Sequence, residues 1–221
     1  MMTNTVEVPP MKIQRPKLPK QLESIKLQDA DISDHAEFRQ AQCSDEELSY
    51  ITASKVMCDQ MIFRNISFRD VSLQHAELTD VIFEQCDLSN VDLTEAIIHR
   101  AQFRQCKIMG MDMTAATMRN IAFVECAGDY ATFRFADMKQ VSYQETSLEK
   151  SDFYHAKFNK VGFDNCKIDQ SQFSGASLKG IDLSTADFHN LGVTLEDLQG
   201  CIISPSQAIL FTKIFGLVVK D

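Results

Sequence analysis

From Phe63 to Phe188 a large apolar residue recurs at every fifth position, broken only at Gly128. The series opens Phe63, Phe68, Leu73, Leu78, Phe83 and closes Phe173, Leu178, Leu183, Phe188. Two residues before each sits a smaller inward candidate, such as Ala76, Val81, Cys86, Val91 and Ala96. Helical faces recur every 3.6 residues and strand faces every second residue, so neither element explains a period of five. A short fixed repeat sustained over this length predicts an array.

A second period of twenty lies behind the first. Phe63, Phe83, Phe103, Phe123, Tyr143 and Phe163 form an aromatic column, and Ala76, Ala96, Ala116, Ala136, Ala156 and Ala176 an alanine column. Cys86, Cys106, Cys126 and Cys166 share another, with Thr146 in the open slot. Such memory follows if four five-residue segments make one square turn and residue n stacks on n+20, at a strand spacing of roughly 4.8 Å. Stacked rings then gain offset contacts. The prediction is an all-β parallel helix with four flat faces.

Runs such as Cys86-Asp87-Leu88-Ser89-Asn90 and Ala176-Ser177-Leu178-Lys179-Gly180 resemble the A-(D/N)-L-x-x unit of the pentapeptide repeat family. The resemblance covers about four fifths of the chain. It implies a right-handed quadrilateral parallel β-helix, in keeping with the handedness of parallel crossovers.

Three segments are expected. Residues 1–20, with prolines at 9, 10, 16 and 19, read as a flexible, basic, Pro-rich lead-in. Residues 21–203 form the β-helix; Leu22, Leu27 and Ile32 begin it, and a one-residue slip between Ile32 and Phe38 distorts the first coil. Residues 44–60, holding Asp45-Glu46-Glu47, are irregular: a bulging loop or, preferred, a coil with a local bulge. Gly128 leaves a hole in its column that permits a bend. Residues 204–221 form a capping and dimerisation helix with a tail. Ser204-Pro205 supplies an N-cap and a proline at N1, and Gly216 suits C′. Ile209, Leu210, Phe211, Ile214, Phe215 and Leu217 exceed what the end of a narrow coil can cover, which points to a two-fold dimer interface.

Chemistry-bearing motifs are sparse. The cysteines read as small packing residues, since parallel stacked side chains start poorly placed for a disulfide. His75 and His155 share a column four turns apart, and His99 and His189 belong to different faces. No metal-ligand spacing, phosphate loop or nucleophile elbow occurs. The reading is non-enzymatic, with no catalytic residue, cofactor, metal or small-molecule substrate. No apolar run approaches the ~20 residues that span a membrane. Seven cysteines, an odd number, suit a reducing compartment, so the expected location is cytoplasmic.

Function is then expected on the walls. The formal net charge is −9, and residues 1–26 carry five bases against two acids, so the body is more acidic still. Asp92, Glu95, Asp112 and Asp152 fall on one wall; Asp129, Glu149 and Asp169 form a column on its neighbour. Arg100, Arg119, Lys139, Lys157, Lys160 and Lys179 gather on the wall around Leu78 to Leu178. An acidic rod offers the dense regular charge of duplex DNA.

The ending Ile202-Ile203-Ser204-Pro205-Ser206-Gln207-Ala208, then Phe215-Gly216-Leu217-Val218-Val219-Lys220-Asp221, resembles that of Qnr-type quinolone-resistance proteins. That resemblance implies a dimeric rod that binds DNA gyrase and topoisomerase IV as a DNA mimic and relieves quinolone poisoning. Qnr-type proteins typically carry two loops that break the repeat, whereas no loop fits between Met61 and Phe188 here. The alternative is an adaptor whose basic wall binds an acidic protein or nucleic acid.

Overall fold

Residue n pairs with residue n+20 along almost the whole coil. Phe63 lies beside Phe83, Phe83 beside Phe103, Phe103 beside Phe123, Phe123 beside Tyr143 and Tyr143 beside Phe163, all parallel. The computed structural model describes residues 11–220 and is a parallel β-solenoid of about 7 turns with one short helix near its C-terminus. Strands Glu77–Glu84, Ile97–Arg104, Thr117–Val124, Asp137–Gln144 and Lys157–Asp164 each run through one corner unbroken. Single bridges such as Asp92↔Asp112 and Asp87↔Lys107 continue the ladder on the other two walls. We call the walls A to D after Phe63, Phe68, Leu73 and Leu78.

Packing explains the column memory. Successive rings of the wall A column are 4.6 to 5.2 Å apart and within 12° of parallel. A second stack, Phe133, Phe153 and Phe173, repeats at 4.9 Å on wall C. The two stacks meet edge to face, as at Phe123–Phe133, 6.3 Å and 78°. Each fully buried ring contributes about 2–3 kcal/mol of burial plus the favoured ring geometry. The alanine column lies behind tight turns: Ala96, Ala116 and Ala136 donate their N–H to the carbonyls of Leu93, Met113 and Phe133. The cysteine column serves a corner without that turn bond. Cys86, Cys106 and Cys126 each donate Sγ–H to the carbonyl 23 residues back, at 3.4 to 3.5 Å. Thr146 Oγ1 lies at the same 3.5 Å from the Phe123 carbonyl and donates to the nearer Gln144 carbonyl at 2.9 Å, so its buried hydroxyl is satisfied.

The fifth residue, two after each large one, is the corner. Every fifth residue from His35 to Gly180 has positive φ, and only Gly110, Gly175 and Gly180 among them are glycine. An L residue in this region costs roughly 1–2 kcal/mol. Ladder bonds offset that cost: Asn90, Glu95 and Lys150 donate their N–H to the next coil at 2.8 Å. Side chains also link corners, as in Asn65 to Asp45 at 2.7 Å and Gln105 to Glu125 at 2.8 Å.

Four sequence expectations are corrected. Residues 44–60 have no bulge: Asp45, Tyr50, Lys55 and Gln60 all keep the common backbone ladder. The pattern looked irregular because Glu46 takes an inward slot, 5% exposed, where its Oε2 accepts the Gln28 N–H at 2.9 Å. Gly128 leaves no hole, because Ile108 and Leu148 fill the space from either side, within 3.1 Å of where a Cβ would stand. The first coil is out of step by two residues, Glu23 pairing with Ala41, and a short helix at Leu27–Asp29 replaces the regular segment.

The fourth concerns the lead-in. Residues 1–10 lie outside the described residues, but 11–20 form an ordered strap along the corner between walls D and A. Lys17 N–H donates to Asp80 at 2.8 Å and Gln14 N–H to Asn120 at 3.2 Å. Gln60 and Gln140 reach out to the carbonyls of Lys17 and Lys12, both at 2.9 Å. Met11 lies over Gly162. Met11, Ile13, Pro16 and Leu18 are half-buried while Lys12, Arg15, Lys17 and Lys20 are exposed. Alternation of apolar and basic residues, invisible to a five-residue period, lays the segment down.

Candidate partner-binding walls

The acidic residues fall in two ladders on adjacent walls. On wall C, Asp92 bridges to Asp112, Asp112 to Thr132 and Thr132 to Asp152. Each aspartate also has a structural task that the sequence reading missed. One carboxylate oxygen of Asp92, Asp112 and Asp152 accepts the N–H two residues on, of Thr94, Thr114 and Tyr154, at 2.8 to 2.9 Å. This local bond fixes the chain entering the corner. Burial raises the Asp92 pKa, but the Thr94 N–H and hydroxyl with Gln74 and Ser72 more than reverse it, holding it below the ordinary carboxylate value. Glu95 sits at the next corner, 3.5 Å from His75.

On wall B, Asp129, Glu149 and Asp169 stack at the position after the large residue. Asp129 accepts from the Ser147 hydroxyl and from the Glu149 N–H. Asp169 accepts the N–H groups of His189 and Asn190 at 2.7 and 2.8 Å. Burial acts to raise its pKa, and these bonds with Gln170 outweigh that and lower it. Backbone N–H groups thus orient Asp92, Asp112, Asp152, Asp129 and Asp169, and hold Asp92 and Asp169 ionised.

The basic wall is reduced. Arg100 does not stand free: its side chain is 16% exposed and grips Asp80 through two bonds of 2.5 and 2.6 Å. Arg119 is held by Asp137 at 2.7 Å. Lys139, Lys157, Lys160 and Lys179 are exposed, and the strap brings Lys12, Arg15, Lys17 and Lys20 alongside. These strap bases were read as part of a loose tail.

At the C-terminal end, helix Pro205–Ile214 is capped by Ser204, whose hydroxyl accepts the Gln207 N–H while Gln207 accepts the Ser204 N–H. Gln207 is buried and donates to the carbonyls of Leu183 and Ala186 at 2.7 and 2.8 Å, stoppering the last coil. Phe211, named above for a dimer surface, is 7% exposed and packs on Phe188 at 5.5 Å, so it belongs to the monomer core. Leu210, Ile214 and Phe215 are half-buried against the same core. Ile209 at 49% and Leu217 at 62% remain exposed, with Leu195 and Val218. A cleft of about 530 Å³ lined by Leu195, Leu198, Ile203, Phe215 and Leu217 opens between them.

All seven cysteines are free thiols, six of them buried. Burial pushes Cys58 up to about 12. His75, His99, His155 and His189 are spread over the surface, and the described residues hold no group of three ligands for a metal ion. No described helix is long and apolar enough to cross a membrane.

Fold and surface together define a class: a parallel β-solenoid with two acidic walls, a partly neutralised basic wall and an apolar C-terminal end. Residues 76–153 match the family described as pentapeptide repeat region. The β-solenoid is the pentapeptide repeat fold, and the matched stretch carries its repeat. It is similar to HetL of the cyanobacterium Nostoc sp. strain PCC 7120, a pentapeptide repeat protein involved in heterocyst differentiation regulation. The identity is 18% over 77% of this chain and 90% of that one, with a TM-score of 0.51, a likeness of fold alone. QnrB1, a plasmid-mediated fluoroquinolone resistance protein, matches at 16% identity over 80% of this chain and 100% of its own, with a TM-score of 0.36. No curated protein matches.

Proposed function

We propose that this protein is a non-enzymatic, cytoplasmic DNA mimic that binds a type II topoisomerase, DNA gyrase or topoisomerase IV, through its acidic walls. The observation that carries the reading is the ladder Asp92, Asp112, Asp152 on wall C beside Asp129, Glu149, Asp169 on wall B. Acidic side chains repeat there at one or two coil spacings of roughly 4.8 Å, Thr132 interrupting the wall C column, on adjacent faces of a rod. Duplex DNA carries about one charge per 1.7 Å; the two columns together carry about half that density, with the same sign and the same order along one axis. A basic saddle built for DNA meets a similar field. The Qnr-like ending adds the second support. We further propose that Leu195, Ile209, Leu217 and the open cleft beside them join two copies end to end, lengthening the rod. Quinolone protection would follow from competition for the DNA site.

Supercoiling by purified gyrase, with and without this protein and across a quinolone titration, tests the reading. Inhibition of supercoiling at micromolar protein and a shift in drug sensitivity are expected. Unchanged supercoiling would remove it.

The strap favours a second reading, an adaptor binding an acidic protein or nucleic acid. Lys12, Arg15, Lys17 and Lys20 align four exposed bases beside Lys139, Lys157 and Lys160. Retention on heparin, lost with salt, would support this reading; passage without retention is expected of a DNA mimic.

A further inference from the structure

Large aromatic residues occupy corners where the coil imposes a left-handed backbone. Tyr130 has φ 64° and Phe135 φ 58°, at either edge of wall C. Bulky residues are genuine outliers there, and neither ring recovers the cost by burial, being 56% and 50% exposed. Their ladder bonds to the carbonyls of Glu149 and Tyr154, both 2.9 Å, support the backbone as at every other corner, which leaves the two rings themselves free at the surface.

The rings are held in place by their neighbours. Arg134 pairs with Asp152 at 2.8 Å, and its guanidinium carbon lies 4.8 Å from the centre of the Tyr154 ring and 5.8 Å from that of Phe135. Phe135 lies parallel to His155 at 5.9 Å and edge-on to Tyr154 at 5.7 Å. Across the wall, Lys150 Nζ is 3.0 Å from the Tyr130 hydroxyl. One coil earlier the same two corners carry Gly110 and Ala115, so both rings stand proud of a step in the wall. Pre-ordered tyrosine and arginine are what dominate binding at protein interfaces, since little side-chain freedom is lost on docking. The acids around them, Asp112, Asp129, Glu149 and Asp152, would repel a nucleic-acid strand, and so argue against base stacking.

We propose that Tyr130, Phe135 and Tyr154 anchor a protein partner whose cationic surface, with apolar pockets between its bases, lies on wall C. The rings fill the pockets and the Asp92–Asp112 ladder faces the bases. This rests on the reading that a DNA-binding saddle takes the acidic wall, and it names the face and the side chains that hold it there.

The test uses full-length protein immobilised against purified gyrase, with two double variants. Tyr130→Asn with Phe135→Asn removes the rings while placing at each corner a residue that accepts the left-handed backbone; its melting temperature is expected to hold or rise. Asp92→Asn with Asp112→Asn removes charge but keeps an oxygen for the Thr94 and Thr114 N–H groups. Both are expected to weaken binding, the aromatic variant by about tenfold or more. Wild-type affinity in the aromatic variant, with weaker binding in the charge variant, would overturn the anchor and leave the DNA-mimic reading standing. Failure of the unaltered protein to bind would end both.

Discussion

Phe103 lies flat against Phe123, ring centres 4.7 Å apart and planes 12° from parallel, with neither ring exposed. The coils from Phe63 to Phe163 repeat that relation, so the middle of the stack has no slack into which a gap could collapse. Phe103→Ala is expected to destabilise the protein by about 3–5 kcal/mol. Phe103→Tyr should be better tolerated, because Tyr143 already fills the same column. Urea unfolding of the two variants measures both; equal losses would mean that the stack is not what holds the coils.

Gly128 makes the opposite case. Its missing side chain is replaced by Ile108 and Leu148, so restoring a consensus leucine there overfills the core. Gly128→Leu is expected to cost about 1–3 kcal/mol, read as a lower urea midpoint with unchanged slope. A rise in stability would show that space exists after all.

Asp80 ties the strap to the coil. It is 4% exposed, accepts the Lys17 N–H, and neutralises Arg100. Burial tends to raise its pKa, and the Arg100 and Lys17 bonds override this and lower it. Asp80→Ala leaves Arg100 without its partner, at a cost of about 3 kcal/mol. Trypsin should then cut at Lys12 and Lys17 faster than in the parent protein. Unchanged proteolysis would mean that the strap is held by its apolar contacts alone.

The repeat itself was legible in the sequence because side chains twenty apart must match when they touch. Phe63 through Phe163 declare the stack, and Ser204-Pro205 declares the helix start. Corners were not legible, because left-handed backbone tolerates many residue types once ladder bonds support it. Tyr130 and Phe135 were therefore passed over, although reading the corner column in steps of twenty would have found them. Asp92 and Asp112 were read only as surface charge, since a bond to the N–H two residues on leaves no trace beyond the residue type. The strap was missed for a different reason: its partners, Asp80, Asn120 and Gln140, are remote in sequence. Arg100 and Phe211 were counted as available because exposure depends on neighbours that composition does not reveal.

The buried thiols make stability fall at alkaline pH. Burial pushes Cys43, Cys58 and Cys166 up to about 12 from 9.0, so an unfolded chain loses these protons near pH 9 while the folded one keeps them. Their contribution is complete below pH 9 and disappears as pH rises towards 12. At pH 10 the loss is on the order of 1 kcal/mol per thiol. Urea midpoints should drop between pH 8 and pH 10, and Cys166→Ala should drop less. Identical pH profiles would contradict the burial assigned to Cys166.

Competition for gyrase between this protein and linear duplex DNA tests the central claim most directly. Walls that occupy the DNA saddle predict mutual exclusion: added duplex releases the bound protein, and protein saturates at the expense of DNA. A stable complex of gyrase holding duplex and protein together would contradict it.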